Sequence, residues 1–196
     1  MKATFFERVG AYLLDTIILS LIFSLICFGI GDNTKTEDLL LEELDNKLLQ
    51  NKITTNEYFD EYMDIMYDYQ KESILTTGIS LALTVAYFVV FQYMNKGQTI
   101  GKKLLKIQVV DKEKKKPISI LKGLLRTFII MSILSGSISL VTLNILNKNT
   151  YYIIYGIFLG IEALFALITV ILVLYKKDGR GLHDLMANTI VIKESR

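Results

Sequence analysis

The chain has 196 residues, of which 52% are hydrophobic, with a formal net charge of +2 and a mean hydropathy of +0.40. This apolar composition is unlike that of a water-soluble domain and predicts an integral membrane protein. The single cysteine, Cys27, excludes an intrachain disulfide and a cysteine metal cluster. Nothing in the sequence predicts another metal site, a cofactor or a nucleic-acid partner.

Four apolar segments are long enough to cross a bilayer as helices, which takes about 20 residues each. They are residues 11–30, 73–94, 118–143 and 151–174. We therefore predict an all-α membrane protein with four transmembrane helices, forming one domain over residues 1–196. A cleavable signal peptide is the competing interpretation of the N-terminus, but Asp15 and the length of the apolar stretch argue against it.

Lysine and arginine are retained on the cytoplasmic side of a membrane protein. These residues cluster before the first span, between the second and third spans, and after the fourth span up to Arg196. Both termini are therefore predicted to be cytoplasmic, and residues 31–72 and 144–150 extracellular. The Lys-, Ile- and Asn-rich composition is compatible with the plasma membrane of a Gram-positive bacterium.

The extracellular segment 31–72 carries twelve acidic residues. Residues 36–50 have helical spacing of leucines, and Thr54 followed by Glu57 forms a capping box for a second helix that runs to about Gln70. We predict an acidic helical hairpin inserted between the first two spans. It is either simply solvated, or it concentrates cations or docks a partner protein.

The loop between the second and third spans is strongly basic. Its residues 97–102 resemble a phosphate loop only superficially, because the glycines are too close together and no Ser or Thr follows the lysine. Residues 103–110 mix lysines with apolar side chains, as expected of a segment that lies over anionic lipids. Two short β-branched runs, at 109–110 and 189–192, are predicted to pair as strands.

Three parts of the chain together resemble one family. These are Arg8 with Asp15, the stretch Gly97-Gln-Thr-Ile-Gly-Lys-Lys-Leu-Leu-Lys-Ile-Gln-Val-Val-Asp111, and the stretch Arg180-Gly-Leu-His-Asp-Leu-Met-Ala-Asn-Thr189. They are similar to the RDD family of bacterial membrane proteins, named for one arginine and two aspartates. Arg8 and Asp15 match the first two letters, and Asp184, or alternatively Asp111, matches the third. The resemblance implies a helical membrane module for which transport has been suggested, with cation/proton exchange in some members. The positions that carry it are Arg8, Asp15, Gly97, Thr99, Gly101, Asp111, Arg180, His183 and Asp184.

The charged residues at the inner membrane boundary need partners. Arg8 and Asp15 are about 10 Å apart along one helix, so a direct pair between them is strained. Asp15 is instead predicted to pair with Arg126 of the third span, either to fix helix packing or as a gate. His183 beside Asp184 either titrates near neutral pH or is a hydrogen-bonded structural residue.

Glu162 lies near the centre of the fourth span, where an ionisable side chain is most costly. Hydroxyl-bearing residues follow helical spacing on the second span, so a polar seam able to hold a small cation or a proton is predicted from Glu162, Thr77, Ser80, Thr84 and Tyr155. Alternatively, Glu162 is protonated and hydrogen-bonded to a neighbouring hydroxyl, or it faces a partner. On another face of the same helix, Gly156 and Gly160 predict close helix packing, within the chain or between chains.

These features lead to one functional expectation and one alternative. The first is exchange of small cations for protons through the seam around Glu162, which would require a homo-oligomer because four helices leave little room for a complete path. The alternative is an accessory membrane protein that binds a partner through the acidic hairpin or the basic loop. The sequence pairs no nucleophile with a base, so we do not expect an enzyme.

Overall fold

The structure, a computed structural model, describes residues 1–28 and 34–194, with the backbone alone at residues 34–36, 129 and 130. The predicted end of the first span at Ile30, the start of the hairpin segment at 31–33, and Arg196 lie outside the described residues. In chain order the elements are α1 (Phe5–Cys27), α2 (Thr34–Leu49), α3 (Thr55–Glu72), α4 (Ile74–Val85), a π-helical turn (Ala86–Phe91), α5 (Gln92–Met94), α6 (Ile100–Leu104), β1 (Ile107–Asp111), α7 (Ile120–Ile130), α8 (Ile133–Thr142), α9 (Lys148–Tyr175), α10 (Leu182–Met186) and β2 (Thr189–Lys193).

Three continuous helices are long and apolar enough to cross a membrane: α1, the helix from Ile74 to Met94, and α9. The predicted third span, 118–143, is not one straight helix. It is broken into α7 and α8, whose axes differ by 76°, and Ser132 between them has a left-handed backbone with φ of 52°. By length and composition, the described residues therefore contain three candidate spans, or four if the bent pair counts as one. No proline or glycine marks the break, which is why the sequence did not predict it.

The helical hairpin is formed by α2 and α3, as predicted. Thr54 and Glu57 make the expected capping box, in which the Thr54 hydroxyl accepts from the Glu57 N–H and the Glu57 carboxylate accepts from the Thr54 N–H. Tyr67 fixes the hairpin to the bundle, because its hydroxyl donates to the carbonyls of Leu146 at 2.8 Å and Leu143 at 3.1 Å. We call this end of the bundle the hairpin end.

A two-stranded antiparallel sheet lies at the opposite end, which we call the sheet end. Strands β1 and β2 pair in the register Val109 with Val191, which confirms the predicted pairing. The start of the chain joins them, since the Ala3 N–H donates to the Val191 carbonyl at 3.1 Å. Ile107, Val109 and Val191 form the core beneath α1, so the sheet holds α1, the basic loop and the C-terminal segment together.

Candidate functional site: a buried ionic cluster at the sheet end

Asp184, which is fully buried, is the centre of an ionic cluster. One carboxylate oxygen accepts from Nη1 of Arg8 at 2.8 Å, and the other accepts from Nη1 of Arg126. The Thr189 hydroxyl lies 2.6 Å from the same Arg126 nitrogen and 3.3 Å from the carboxylate. One carboxylate thus joins α1, α7 and β2 through side chains that are far apart in the sequence.

The local fold of α10 places this carboxylate. The Gly181 N–H donates to Asp184 at 3.2 Å, so Asp184, the third residue of α10, caps the start of its own helix. A β-carbon at Gly181 would lie 2.7 Å from Cγ2 of Thr169 and 2.9 Å from the His183 ring. Glycine is therefore needed here for close approach to α9.

Two pKa values follow from the arrangement of charge around Asp184. The pKa of Asp184 lies well below its ordinary value because the positive charges of Arg126 and Arg8 outweigh the opposing effect of burial. Nε2 of His183 lies 3.5 Å from the carboxylate. Even so, burial, with further repulsion from Arg126 and Arg8, lowers the pKa of His183 to about 4. His183 is consequently neutral at pH 7, because burial and the nearby arginines outweigh the attraction of the Asp184 carboxylate.

Asp15, also fully buried, has a different environment. It accepts hydrogen bonds from the Tyr87 hydroxyl at 2.6 Å, from the Gly101 N–H at 2.7 Å and from the Thr99 hydroxyl. Thr99 is the N-cap of α6, and its hydroxyl also accepts from the Lys102 N–H. The carboxylate therefore sits at the positive end of the short helix α6, where the free N–H groups favour an anion.

The predicted ion pair between Asp15 and Arg126 is wrong. Arg126 pairs with Asp184, and three neutral donors hold Asp15. The prediction failed because it rested only on the equal depth of Asp15 and Arg126 in the membrane. The fold instead brings the side-chain carboxylate of Asp184 to Arg126. The argument against a direct pair of Arg8 with Asp15 agrees with the structure, since Arg8 also pairs with Asp184.

Two glycines of the basic loop are required by close contacts. A β-carbon at Gly101 would lie 2.3 Å from the Ala11 carbonyl oxygen and 2.8 Å from Oδ1 of Asp15. At Gly97, φ is +88° and a β-carbon would lie 2.1 Å from the Val109 carbonyl oxygen. Gly101 thus lets α6 pack directly against α1 beside the Asp15 side chain, and Gly97 lets the loop pass close to β1.

A cavity of about 330 Å³ is lined by Asp15 and by Arg8 and Arg126, the two partners of Asp184. Arg8, Asp15, Lys102, Arg126 and His183 contribute to its polar wall. Nζ of Lys102 donates to Oε1 of Gln92, and burial, together with repulsion from Arg126, lowers the pKa of Lys102 to about 7. The cavity is thus a desolvated site with more cationic than anionic groups.

Glu162 lies apart from this cluster, buried on α9. Its carboxylate accepts from the Ser135 N–H at 3.0 Å and from the Ser135 hydroxyl at 2.7 Å. Ser135 is in the first turn of α8, so Glu162 satisfies a backbone donor that the helix break leaves free inside the membrane.

The remaining members of the predicted polar seam do not surround Glu162. Ser80 and Thr84 line a second cavity of about 330 Å³ together with Thr16, Ser20 and Ser132. Thr77 and Tyr155 line a smaller one, of about 170 Å³, near the hairpin end. The single seam predicted from helical spacing is therefore wrong: the polar residues are divided among three places because α8, and not α4, supplies the partner of Glu162.

Other predicted residues have structural positions. Asp111 accepts from the N–H groups of two loop residues and pairs with Lys122, and Arg180 pairs with Asp178 at 2.7 Å. Among the described residues, an added β-carbon would meet nothing within 4 Å at Gly156 or Gly160, so the predicted packing of these glycines within the chain is wrong, and their contact between chains stays a prediction. Within the described residues, no three His, Cys, Asp or Glu side chains are placed to hold a metal.

The sequence did not indicate Tyr87 and Thr189 as partners of the buried aspartates. For Glu162, the alternative of a hydrogen bond to a neighbouring hydroxyl agrees with the contact to Ser135. Helical spacing put Tyr87 in line with the hydroxyls of α4, but the π-helical turn begins at Ala86 and changes the direction of the following side chains. No sequence signal marks this turn.

The fold and the cluster define a multi-pass helical membrane protein whose chain ends meet in a small sheet over a buried ionic site. The family model described as the RDD family matches residues 2–188, and the chain belongs to this family. Comparisons with curated proteins and with solved structures return no match.

Proposed function

We propose that the protein exchanges small cations for protons, with Glu162 as the group that binds the proton. The observation that supports this proposal is the position of the buried Glu162 carboxylate at the break between α7 and α8. Ionisable side chains inside membrane spans mark ion and proton pathways, and broken helices are typical of transporter binding sites.

Oxygen atoms at the break could hold a dehydrated cation. The Glu162 carboxylate lies against the Ser135 hydroxyl, which in turn lies 3.3 Å from the Ser132 carbonyl oxygen. Hard cations take such oxygen ligands. Protonation of Glu162 removes its negative charge and with it the attraction for a cation, so that the two species would compete for one site.

Cavities on either side of the break would give the ion access. The cavity lined by Ser80 and Thr84 reaches Ser132, and the cavity lined by Thr77 and Tyr155 lies toward the hairpin end. The working unit would be a homo-oligomer, for which the outward-facing Gly156 and Gly160 offer a small-residue contact. We place the sheet end in the cytoplasm of a bacterial cell, with the basic loop over anionic lipids.

The test is cation-driven proton movement in liposomes that contain the purified protein. Sodium, lithium and potassium gradients are applied in turn, and a pH-sensitive dye reports protons. We expect exchange by the wild type, its loss in Glu162→Gln, and its retention in Glu42→Gln, a matched substitution on the exposed hairpin. Absence of exchange in the folded wild type with all three cations would refute the proposal.

The hairpin supports a second candidate, a membrane accessory protein that docks a partner. Besides its acidic residues, it exposes large apolar side chains, with Leu39 67%, Phe59 58% and Leu49 79% exposed. Deletion of the hairpin discriminates between the two functions. Transport should survive the deletion, whereas partner binding should be lost while Glu162→Gln leaves it intact.

A further inference from the structure

The Arg8 side chain has unused hydrogen-bonding capacity inside the protein. Nη1 donates to Asp184, but Nε and Nη2 are buried and have no hydrogen-bond acceptor among the described residues. These two atoms form one edge of the guanidinium, which is the fork that binds two oxygens of a phosphate or a carboxylate. Buried donors of this kind are costly when they have no partner.

Two further buried polar atoms on the same cavity wall also have no partner in the part of the chain that the structure describes. They are Oγ1 of Thr169 and Nδ1 of His183. Thr169 is only 5% exposed. Arg8, Thr169 and His183 belong to different elements, α1, α9 and α10, and the fold brings all three to one cavity.

The charges around the cavity favour an anion. Arg8, Lys102 and Arg126 contribute positive charge, and Asp15 and Asp184 contribute negative charge. Both carboxylates already accept several hydrogen bonds from protein donors. Burial is the main reason that the pKa of Lys102 falls to about 7, and repulsion from Arg126, one of the excess positive charges, lowers it further. An anion in the cavity would compensate this excess.

The cavity opens toward the lipid. Its apolar wall includes Phe5, Val9, Tyr12, Val170 and Val173, from the sheet-end halves of α1 and α9. Tyr12 is 46% exposed and Val170 is 41% exposed on membrane-spanning helices. The volume of about 330 Å³ far exceeds the share of one water molecule, which is about 30 Å³.

We propose that this cavity binds the phosphate of an anionic phospholipid, with the Arg8 fork and Lys102 on the phosphate, the Thr169 hydroxyl as a further donor, and the acyl chains along the apolar wall between α1 and α9. The apolar wall and its exposure to lipid favour a phospholipid over a free anion as the source of the phosphate. This site is separate from the proposed ion site at Glu162 and does not depend on transport.

The test measures lipid binding directly. The full-length protein in detergent is titrated with phosphatidylglycerol or phosphatidylcholine, and bound lipid is counted by native mass spectrometry. We expect one tightly bound phosphatidylglycerol and no comparable phosphatidylcholine. Replacing the fork in Arg8→Lys should weaken binding about tenfold, the equivalent of about 1.4 kcal/mol, because a lysine binds phosphate as a point charge.

Two variants and one control keep the test valid if Arg8→Lys does not fold. Thr169→Val conserves shape and should weaken phosphatidylglycerol binding a few-fold, and Lys102→Gln should do the same. Lys103→Gln changes an exposed lysine of the same short helix and should leave binding unchanged.

Three results would overturn the proposal. The first is equal retention of the two lipids. The second is a loss of binding in Lys103→Gln as large as that in Lys102→Gln, which would indicate attraction to the basic loop in general. The third is complete release of bound phosphatidylglycerol by millimolar inorganic phosphate, which would show that the site binds the free anion.

Discussion

Replacing Asp184 by asparagine is the most informative single perturbation of the ionic cluster. Asparagine keeps the shape of the side chain and one oxygen for the Gly181 N–H, but it leaves Arg8 and Arg126 buried without their shared counter-ion. Removing one partner of a buried ion pair costs about 3–5 kcal/mol. For a chain of this size, that corresponds to a decrease in melting temperature of roughly 6–20 °C.

The assay is thermal unfolding in detergent, followed by circular dichroism at 222 nm. Asp111→Asn is the matched control, because Asp111 pairs with a single lysine that is 29% exposed and its asparagine can still accept from the loop N–H groups. It should lower the melting temperature far less. In addition, the double variant Arg126→Gln/Asp184→Asn should be destabilised by less than the sum of the two single variants, since each removes a charge that the other leaves unpaired.

A melting temperature of Asp184→Asn within about 2 °C of the wild type would contradict this prediction, because so small a shift corresponds to about 1 kcal/mol or less. It would also fail if the two aspartate variants were equally destabilised. The same comparison tests which aspartate is the partner of Arg8 in solution, which bears on the assignment of the third letter of the family name.

Three further outcomes are expected. Gly101→Ala should cost about 3 kcal/mol or more, because its β-carbon would lie 2.3 Å from a backbone oxygen of α1, whereas Gly78→Ala, with nothing within 4 Å, should not destabilise in the same melting assay. The pKa of His183 is lowered to about 4 in the folded protein, whereas the unfolded side chain binds a proton below about pH 6.5. Stability should therefore fall by on the order of 3 kcal/mol as the pH is lowered through this range. In His183→Asn the fall should be smaller, and the same pH profile in this variant as in the wild type would contradict the prediction. Tyr67→Phe removes the two hydrogen bonds of Tyr67 to the bundle and should accelerate proteolysis of the hairpin without lowering the melting temperature of the bundle; an unchanged cleavage rate would show that the contacts of Tyr151, Tyr152 and Lys148 are sufficient to hold it.

Local signals in the sequence predicted local structure well. The capping box of Thr54 and Glu57 is a contact between residues three apart, so composition and spacing are sufficient to place it. The strand pair followed from two β-branched runs. Three of the motif positions, Arg8, Asp15 and Asp184, lie in the ionic cluster or line the cavity beside it. Apolar length predicted three of the spans as continuous helices, because it depends only on the bilayer, but it did not predict the break in the third predicted span.

Partners across the fold could not be predicted in the same way. Asp15 meets Tyr87 and Thr99, which are 72 and 84 residues away, and their meeting depends on how α6 folds back against α1. The hydroxyls on α4 do recur at helical spacing. Which part of the bundle they face, however, depends on the π-helical turn and on the break at Ser132. Neither the π-helical turn nor the break at Ser132 is marked by a proline or glycine at that position.

The long separation between Asp184 and its two arginines has a consequence for biosynthesis. Asp184 follows Arg8 by 176 residues and Arg126 by 58, so a ribosome delivers both cations to the membrane well before their counter-ion. Until α9 has crossed and α10 has emerged, the nascent helices carry two uncompensated charges at the bilayer boundary. We therefore expect the helices to remain loosely associated during translation and to lock in a single late step, when Asp184 neutralises both arginines.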